Sequence, residues 1–167
     1  QLYNNTSGNT GAFGNVQLRD ESLLDKNQFK SLNDLASGKG LVKFAKSLYP
    51  QHWDEGLHQQ SLIQCALDQD PYALEVVEKA AAIFGRELES LTHVLRPETL
   101  IIGWPFHLLG DLWLKPMTDS LSLATGLGQG QLPEIISSGL NNRQPELEAL
   151  APAIFSLRGQ TNNSNNK

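Results

Sequence analysis

The octapeptide GNTGAFGN, residues 8–15, is the first stretch whose residue types suggest contact with a ligand. Glycine and asparagine at this density indicate a tight loop whose backbone comes close to another group. The loop carries no ionisable side chain. An asparagine amide both donates and accepts hydrogen bonds, so Asn15 suits the binding of hydroxyl groups and not proton transfer. The loop therefore predicts either ligand binding without chemistry or a plain turn.

The four histidines are the other residues whose chemistry suggests a site. His52 and His58 flank two acids in QHWDEGLH, which resembles a metal-binding arrangement. Helical neighbours are three or four residues apart, so a spacing of six does not place both imidazoles on one helix face. The pattern favours a surface loop with an exposed aromatic residue. His93 falls on the polar side of a predicted helix and His107 follows WPF; we interpret both as structural.

Composition narrows the class of protein. Cys65 is the sole cysteine, which excludes an internal disulfide and a cysteine-rich zinc site, and its apolar spacing in SLIQCAL indicates a buried, inert thiol. A reducing, cytoplasmic location is therefore predicted. The net charge of −5 argues against a broad nucleic-acid surface on this chain. No apolar run approaches the roughly 18 residues of a membrane span.

Apolar spacing predicts the helices that must position any site. Two are predicted in KGLVKFAKSLYP and EGLHQQSLIQCALDQ. A third runs from Asp70, a good N-cap, and Pro71 to a stop at Pro97. This run of about 25 residues is long for a globular helix and is expected to be the spine of the domain. A coiled coil is the alternative, but the small residues at 80–82 favour close packing on a sheet.

Strand signals follow this helix. TLIIG, residues 99–103, has the length and flanks of a buried strand, and LPEIISS predicts a second strand after the turn GLGQGQ. The intervening HLLGDLWLKPMTDSLSLAT predicts a helix with a break near Lys115-Pro116, and PELEALAPAIFSL predicts a last helix capped near Asn142. Alternation of strand and helix implies a right-handed parallel crossover and an α/β layer. The terminal GQTNNSNNK is expected to be disordered.

In this order the segments resemble the ROK family of bacterial repressors, open reading frames and sugar kinases. QLYNNTSGNTGAFGNVQL is similar to the family segment that leads into a Gly-x-x-Gly-Glu-x-Gly-His signature, and DLASGKGL resembles the stretch after its zinc loop. The long helix with TLIIG, and then ELEALAPAIFSL, resemble the helix–strand unit and terminal helix of the family.

The resemblance implies the C-terminal lobe of an actin-like, ribonuclease-H-like ATPase fold, with a mixed sheet and a long packing helix. We expect this lobe to span residues 1–157 and a disordered tail to span 158–167. Family members carry an Asp-x-Gly-x-Thr phosphate loop and, in the kinases, a catalytic Asp in an N-terminal lobe. Because neither is found in this sequence, we expect the chain to be a fragment.

The resemblance also shows which family residues are replaced. The signature Glu, which accepts sugar hydroxyls, corresponds to Ala12, and the His that helps to bind zinc corresponds to Asn15. A further sugar-contacting acid corresponds to a position near Asn33. The three zinc cysteines would fall near Leu24, Lys26 and Ser31. None of these is a zinc ligand, so we predict that the zinc site is lost.

At the nucleotide-binding strand the family has a second glycine, whereas here Gly103 is followed by Trp104-Pro105, a bulky ring and a residue without an amide donor. We therefore expect a vestigial substrate-binding set of Asn9, Ala12, Asn15 and Asn33. We expect a degenerate nucleotide-binding pair at Gly103 and Trp104, and neither a catalytic residue nor a metal ligand.

Our interpretation is the sugar-sensing or dimerisation lobe of a NagC-like transcriptional regulator without catalysis. The alternative is a divergent ROK sugar kinase that phosphorylates a hexose or amino sugar, with its catalytic Asp in the N-terminal lobe. ATP and magnesium would be cofactors only of that kinase. A homodimer is expected, in contact through the long helix and WPFHLLGDLW, with a sugar or amino-sugar ligand. DNA would be contacted only through a domain outside this chain, and no membrane is expected.

Overall fold

A computed structural model describes residues 12–18, 29–103, 105–139 and Glu146 of the chain. Its regular elements in chain order are α1 (Leu32–Ala36), α2 (Gly38–Leu48), α3 (Gln59–Leu67), α4 (Pro71–Leu95), β1 (Thr99–Ile102), α5 (Asp111–Thr125) and β2 (Glu134–Ser137). Short 3-10 helices cover Phe13–Asn15, Phe106–Leu109 and Gln129–Gln131. The predicted last helix, Asn142 and the tail 158–167 lie outside the described residues, apart from Glu146.

The long helix α4 begins and ends where its terminal residues predict. The Asp70 carboxylate accepts a hydrogen bond of 2.8 Å from the Ala73 amide, and Pro71 occupies the first turn. Arg96 closes the helix in the left-handed conformation, with φ of 42°, and Pro97 follows it. The predicted bounds are therefore confirmed. An aspartate N-cap of this kind contributes about 1 kcal/mol to stability.

The principal partner of α4 is α5, and not the sheet as the small residues suggested. At their crossing, a Cβ atom on Gly85 would overlap the backbone carbonyl of Met117. The two helix backbones thus touch at a position where only hydrogen fits. Around this contact, Ile83, Leu88, Met117 and Leu121 are buried in a continuous apolar core.

The predicted break near Lys115-Pro116 is wrong. Pro116 lies inside the uninterrupted helix α5, and the real break is at Gly110, between the 3-10 turn of Phe106–Leu109 and α5. Gly110 has φ of 52°, a conformation that glycine adopts without steric cost. The fixed φ of a proline is compatible with a helix, and here the packing of α5 on α4 outweighs its missing hydrogen bond.

Strands β1 and β2 form a parallel pair with Ile101 opposite Ile136. The prediction of a parallel α/β unit is therefore confirmed, with α5 in the crossover. The prediction that TLIIG is buried is wrong in part. Ile102 is buried, but Ile101 is 65% exposed and Ile136 is 39% exposed, so one face of this pair carries uncovered apolar side chains.

The three helices before α4 all pack against it. The helix predicted over residues 55–69 is shorter, because it begins after His58 and ends at Leu67. The short helix α1 was not predicted, since five residues are too few to show apolar periodicity. Its core side chains Leu32 and Leu35 are nevertheless almost completely buried.

Candidate functional site

The turn predicted to approach a ligand is a single turn of 3-10 helix. The Asn15 amide donates to the Ala12 carbonyl at 3.0 Å, and the Val16 amide donates to the Phe13 carbonyl at 3.0 Å. Ala12 and Asn15 are both exposed. Their side chains are therefore open to a ligand, and Asn9 lies outside the described residues.

Asn33, in the first turn of α1, lies against this turn. Its Nδ2 donates a hydrogen bond of 3.3 Å to the Asn15 Oδ1, and this amide pair is exposed. A Cβ atom on Gly14 would overlap the Asn33 side chain, so the glycine permits the close approach. The structure thus brings Asn15 and Asn33 into contact, with Ala12 three residues before Asn15 in the same turn.

The beginning of α1 fixes the position of Asn33. The Asp34 carboxylate accepts from the Ser31 amide at 2.9 Å and from the Ser31 hydroxyl at 3.0 Å. These bonds, with that to the Ser31 amide the strongest, lower the pKa of Asp34 below its usual range. The Leu32 amide also donates to the Val16 carbonyl at 2.9 Å. Ser31, near a zinc-cysteine position of the family, therefore has a helix-capping role; Leu24 and Lys26 lie outside the described residues.

A row of aromatic rings connects this turn to the strand β1 region. Phe13 packs edge-on against Phe84 of α4, with ring centroids 6.5 Å apart. Phe84 lies 5.8 Å from Trp113 of α5, and Trp113 stacks on Phe106 at 4.0 Å. Trp113 is fully buried and Phe106 is 8% exposed. These two rings belong to the core, so the expectation that they form part of a dimer contact is wrong.

Gly103 lies directly after β1, at the carboxyl end of the parallel strands, where open α/β sheets bind ligands. Its carbonyl accepts from the His107 amide at 3.2 Å. Trp104, the second residue of the predicted nucleotide pair, lies outside the described residues. Pro105, the next residue in the sequence, is buried.

His107 is a residue at this edge that the sequence interpretation treated as structural. Both of its ring nitrogens are buried, and the described residues offer neither of them a hydrogen-bond partner. An imidazole in that condition lacks the partners that normally fix a structural histidine. Its place five residues after the end of strand β1 is the sequence signal that could have indicated it.

His52 and His58 both have structural contacts, whereas His93 is exposed. The prediction of an exposed aromatic residue between His52 and His58 is wrong in part, because Trp53 is half-buried against the core. His52 packs on the rings of Trp53 and Tyr72 at 4.4 and 4.0 Å, and its Nε2 lies 3.8 Å from the Asp70 carboxylate. His58 caps α3, because its Nδ1 accepts from the Ser61 amide at 3.1 Å. Within the described ranges, no three His, Cys, Asp or Glu side chains gather into a group suited to a metal ion.

Comparison with protein families matches residues 1–136 to the model of the ROK family. The chain belongs to the ROK family. Comparison with curated protein sequences finds no match. Among the helices that the structure describes, none is long and apolar enough to cross a membrane.

Solved ROK structures share the fold. A ROK family glucokinase from Streptomyces griseus, in complex with glucose and AMPPNP, is 20% identical over 81% of this chain and 48% of its own, with a TM-score of 0.66. The ROK hexokinase from Thermus thermophilus is 18% identical over 86% of this chain and 47% of its own, with a TM-score of 0.65. A ROK family transcriptional regulator, a homologue of the E. coli MLC protein, is 16% identical over 78% of this chain and 35% of its own, with a TM-score of 0.65.

The chain thus spans about half of the length of the kinases that it resembles and about a third of the regulator. The fold is the actin-like ATPase fold of this family, as predicted. The regulator and the two kinases match this chain with nearly the same TM-score, so the fold alone does not separate the two functions.

Proposed function

We propose that this ROK chain is the sugar-sensing and dimerisation lobe of a NagC-like transcriptional regulator, which binds a sugar or amino sugar without phosphorylating it. The observation that carries the proposal is the exposed pair of Asn33 and Asn15, 3.3 Å apart, beside Ala12. Two primary amides provide donors and acceptors for vicinal hydroxyl groups.

The same set of residues argues against catalysis by this lobe. An amide neither removes a proton from a sugar hydroxyl nor holds magnesium strongly, and Ala12 provides no polar group at all. Phosphoryl transfer requires a base, a metal ion and phosphate contacts in addition to substrate binding. We propose that the zinc site is lost and that no cofactor is bound here. DNA would then be bound by a domain outside this chain, in a cytoplasmic homodimer.

A sugar kinase is the second candidate. The likeness to the glucokinase and hexokinase folds favours it, because both kinases share this lobe. The catalytic Asp of such a kinase would lie in the other lobe, and ATP with magnesium would be required. Gly103 at the carboxyl end of β1 would then lie against the nucleotide.

Calorimetric titration of the protein with N-acetylglucosamine, glucose and other hexoses tests the binding proposal. We expect at least one sugar to bind, and Asn33→Ala and Asn15→Ala each to weaken it by about 2- to 10-fold, the value of one neutral hydrogen bond. Gln60→Ala, which removes an exposed amide from α3, is the matched control and should leave the affinity unchanged. Sugar binding that is unaffected by both asparagine variants would place the ligand elsewhere.

Turnover separates the two candidates. The full-length protein is incubated with ATP, magnesium and the sugar that binds, and sugar phosphate is measured. We expect no product, and we expect the sugar to change the affinity of the protein for its operator DNA. Formation of sugar phosphate at a rate proportional to enzyme concentration would contradict the regulator and establish the kinase.

A further inference from the structure

A cavity of about 440 Å³ lies at the amino ends of β1 and β2, the opposite edge of the strands from Gly103. It opens between the end of α4, the residues before β1 and the residues before β2. This volume falls within the range of small-molecule sites. Neither the amide pair of Asn15 and Asn33 nor Gly103 lines it.

Thr92 provides the buried polar group of this cavity. The residue lines the cavity, is 3% exposed, and its hydroxyl has no hydrogen-bond partner among the residues that the structure describes. A helical threonine usually donates back to the preceding turn. A buried hydroxyl without a partner costs stability that a ligand would restore.

Two exposed charges of opposite sign lie at the same cavity. Arg96 and Glu98 both line it, and the described part of the chain gives neither side chain an ion-pair partner. Arg96 also holds φ at 42°, where a helix usually ends in glycine. Apolar walls are provided by Leu132 and the buried Pro133.

We propose that this cavity binds a small zwitterion, an α-amino acid with an apolar side chain. The guanidinium of Arg96 pairs with its carboxylate. The carboxylate of Glu98 and the Thr92 hydroxyl accept from its ammonium group, which the C-terminal end of the α4 dipole also favours. The apolar side chain packs on Leu132 and Pro133.

Calorimetric titration with L-leucine and two analogues tests the proposal. 4-Methylpentanoate lacks the ammonium group, and isopentylamine lacks the carboxylate. We expect saturable binding of leucine to one site, and binding of each analogue at least about 10-fold weaker, since a charged hydrogen bond is lost. Equal binding of leucine and either analogue, or no binding of leucine, would overturn the proposal.

Variants identify the site. Arg96→Gly and Glu98→Gln should each weaken leucine binding at least about 10-fold. Gln69→Gly is the matched control for the first, because Gln69 is the other non-glycine residue with positive φ among those that the structure describes, at 64°, and it lies outside the cavity. Glu55→Gln is the control for Glu98→Gln, because Glu55 is an exposed glutamate outside the cavity.

Thr92→Val keeps the shape of the side chain and removes the unpaired hydroxyl, so the ligand-free fold is retained. It should weaken leucine binding several-fold. Leucine affinity unchanged in Arg96→Gly, Glu98→Gln and Thr92→Val would refute the site. The sugar titration is independent of this cavity, so Arg96→Gly should leave sugar binding unaltered.

Discussion

Tyr49, at the end of α2, forms a hydrogen bond with the Glu75 carboxylate of α4. This bond, with burial as a smaller contribution, raises the pKa of Tyr49 to about 12. Glu75 in turn pairs with Lys79 at 2.7 Å, and that contact is the main reason that the pKa of Glu75 is lowered. The phenol is therefore a neutral donor that joins two helices over the whole physiological pH range.

This pair predicts an alkaline loss of stability. Because the pKa of Tyr49 is higher in the folded state than its ordinary value of 10.0, its contribution is complete below pH 10 and is lost as the pH rises toward 12. Carbon-13 NMR of the tyrosine rings should show this pKa. Glu75→Gln should lower it toward 10, whereas Glu78→Gln, an exposed carboxylate of the same helix, should not. A pKa near 10 in the unaltered protein would contradict the assignment.

Ala12 is the residue at which the proposed sugar surface lacks an acid. Ala12→Glu places an exposed carboxylate beside the pair of Asn15 and Asn33. We expect sugar affinity to rise by about 10-fold, because a hydrogen bond to a charged group is stronger than a neutral one. Calorimetry measures the change, and Ala12→Gln controls for size. If neither Ala12→Glu nor Ala12→Gln raised the sugar affinity, Ala12 would not face the sugar.

Helices whose ends are marked by capping residues or prolines could be predicted from the sequence. Asp70, Pro71 and Pro97 define α4 locally, and the structure has the same bounds. The helical place of Pro116 could not be predicted, because it depends on packing between α5 and α4. The exposure of Ile101 was missed for a related reason: a short apolar run does not indicate which of its faces another element covers.

For the candidate sites, too, one part could be predicted from the sequence and another part could not. Family resemblance indicated Asn15 and Asn33 separately, but their hydrogen bond joins residues 18 positions apart and needs the folded chain. The cavity at Thr92 and Arg96 was not predicted at all, since its walls come from segments that meet only when β1 pairs with β2. The one feature of the sequence near the cavity that stands out is Arg96, at a helix end where glycine is usual.

The crossing of α4 and α5 predicts a strong effect of one methyl group. Gly85→Ala forces a Cβ atom into the Met117 carbonyl, so the helices must separate. We expect a loss of about 2 kcal/mol in the free energy of unfolding. Gly128→Ala is the control, because nothing lies within 4 Å of its Cβ position. Urea denaturation measures both; equal stability of the two variants would contradict the tight crossing.

On the scale of the whole molecule, an acidic surface is combined with uncovered apolar residues. The net charge is −5, yet Ile101 and Ile136 lie side by side and exposed on one face of the β1–β2 pair. Exposed apolar patches favour association. This face is therefore a more suitable contact surface for a partner than the buried rings of Phe106 and Trp113.

Sedimentation velocity over a range of concentrations tests this surface. We expect the unaltered chain to associate, and Ile101→Ser combined with Ile136→Ser to shift it toward monomer. Leu123→Ser, which removes an apolar side chain that is 85% exposed on α5, should have a smaller effect. An unchanged distribution in the double variant would exclude the sheet face as the contact.

The stacked Trp113 also gives the folded state a fluorescence and circular-dichroism signal. Its indole is fully buried, its Nε1 has no hydrogen-bond partner among the described residues, and it lies on the Phe106 ring. An indole in such an apolar, rigid environment emits at shorter wavelength than one in water and gives a strong near-ultraviolet dichroism band. Because Phe84 connects Trp113 to Phe13, ligand binding at the Asn15 turn should alter the part of that band that Trp113, one of three tryptophans, contributes. Near-ultraviolet dichroism can therefore follow the turn without an attached label.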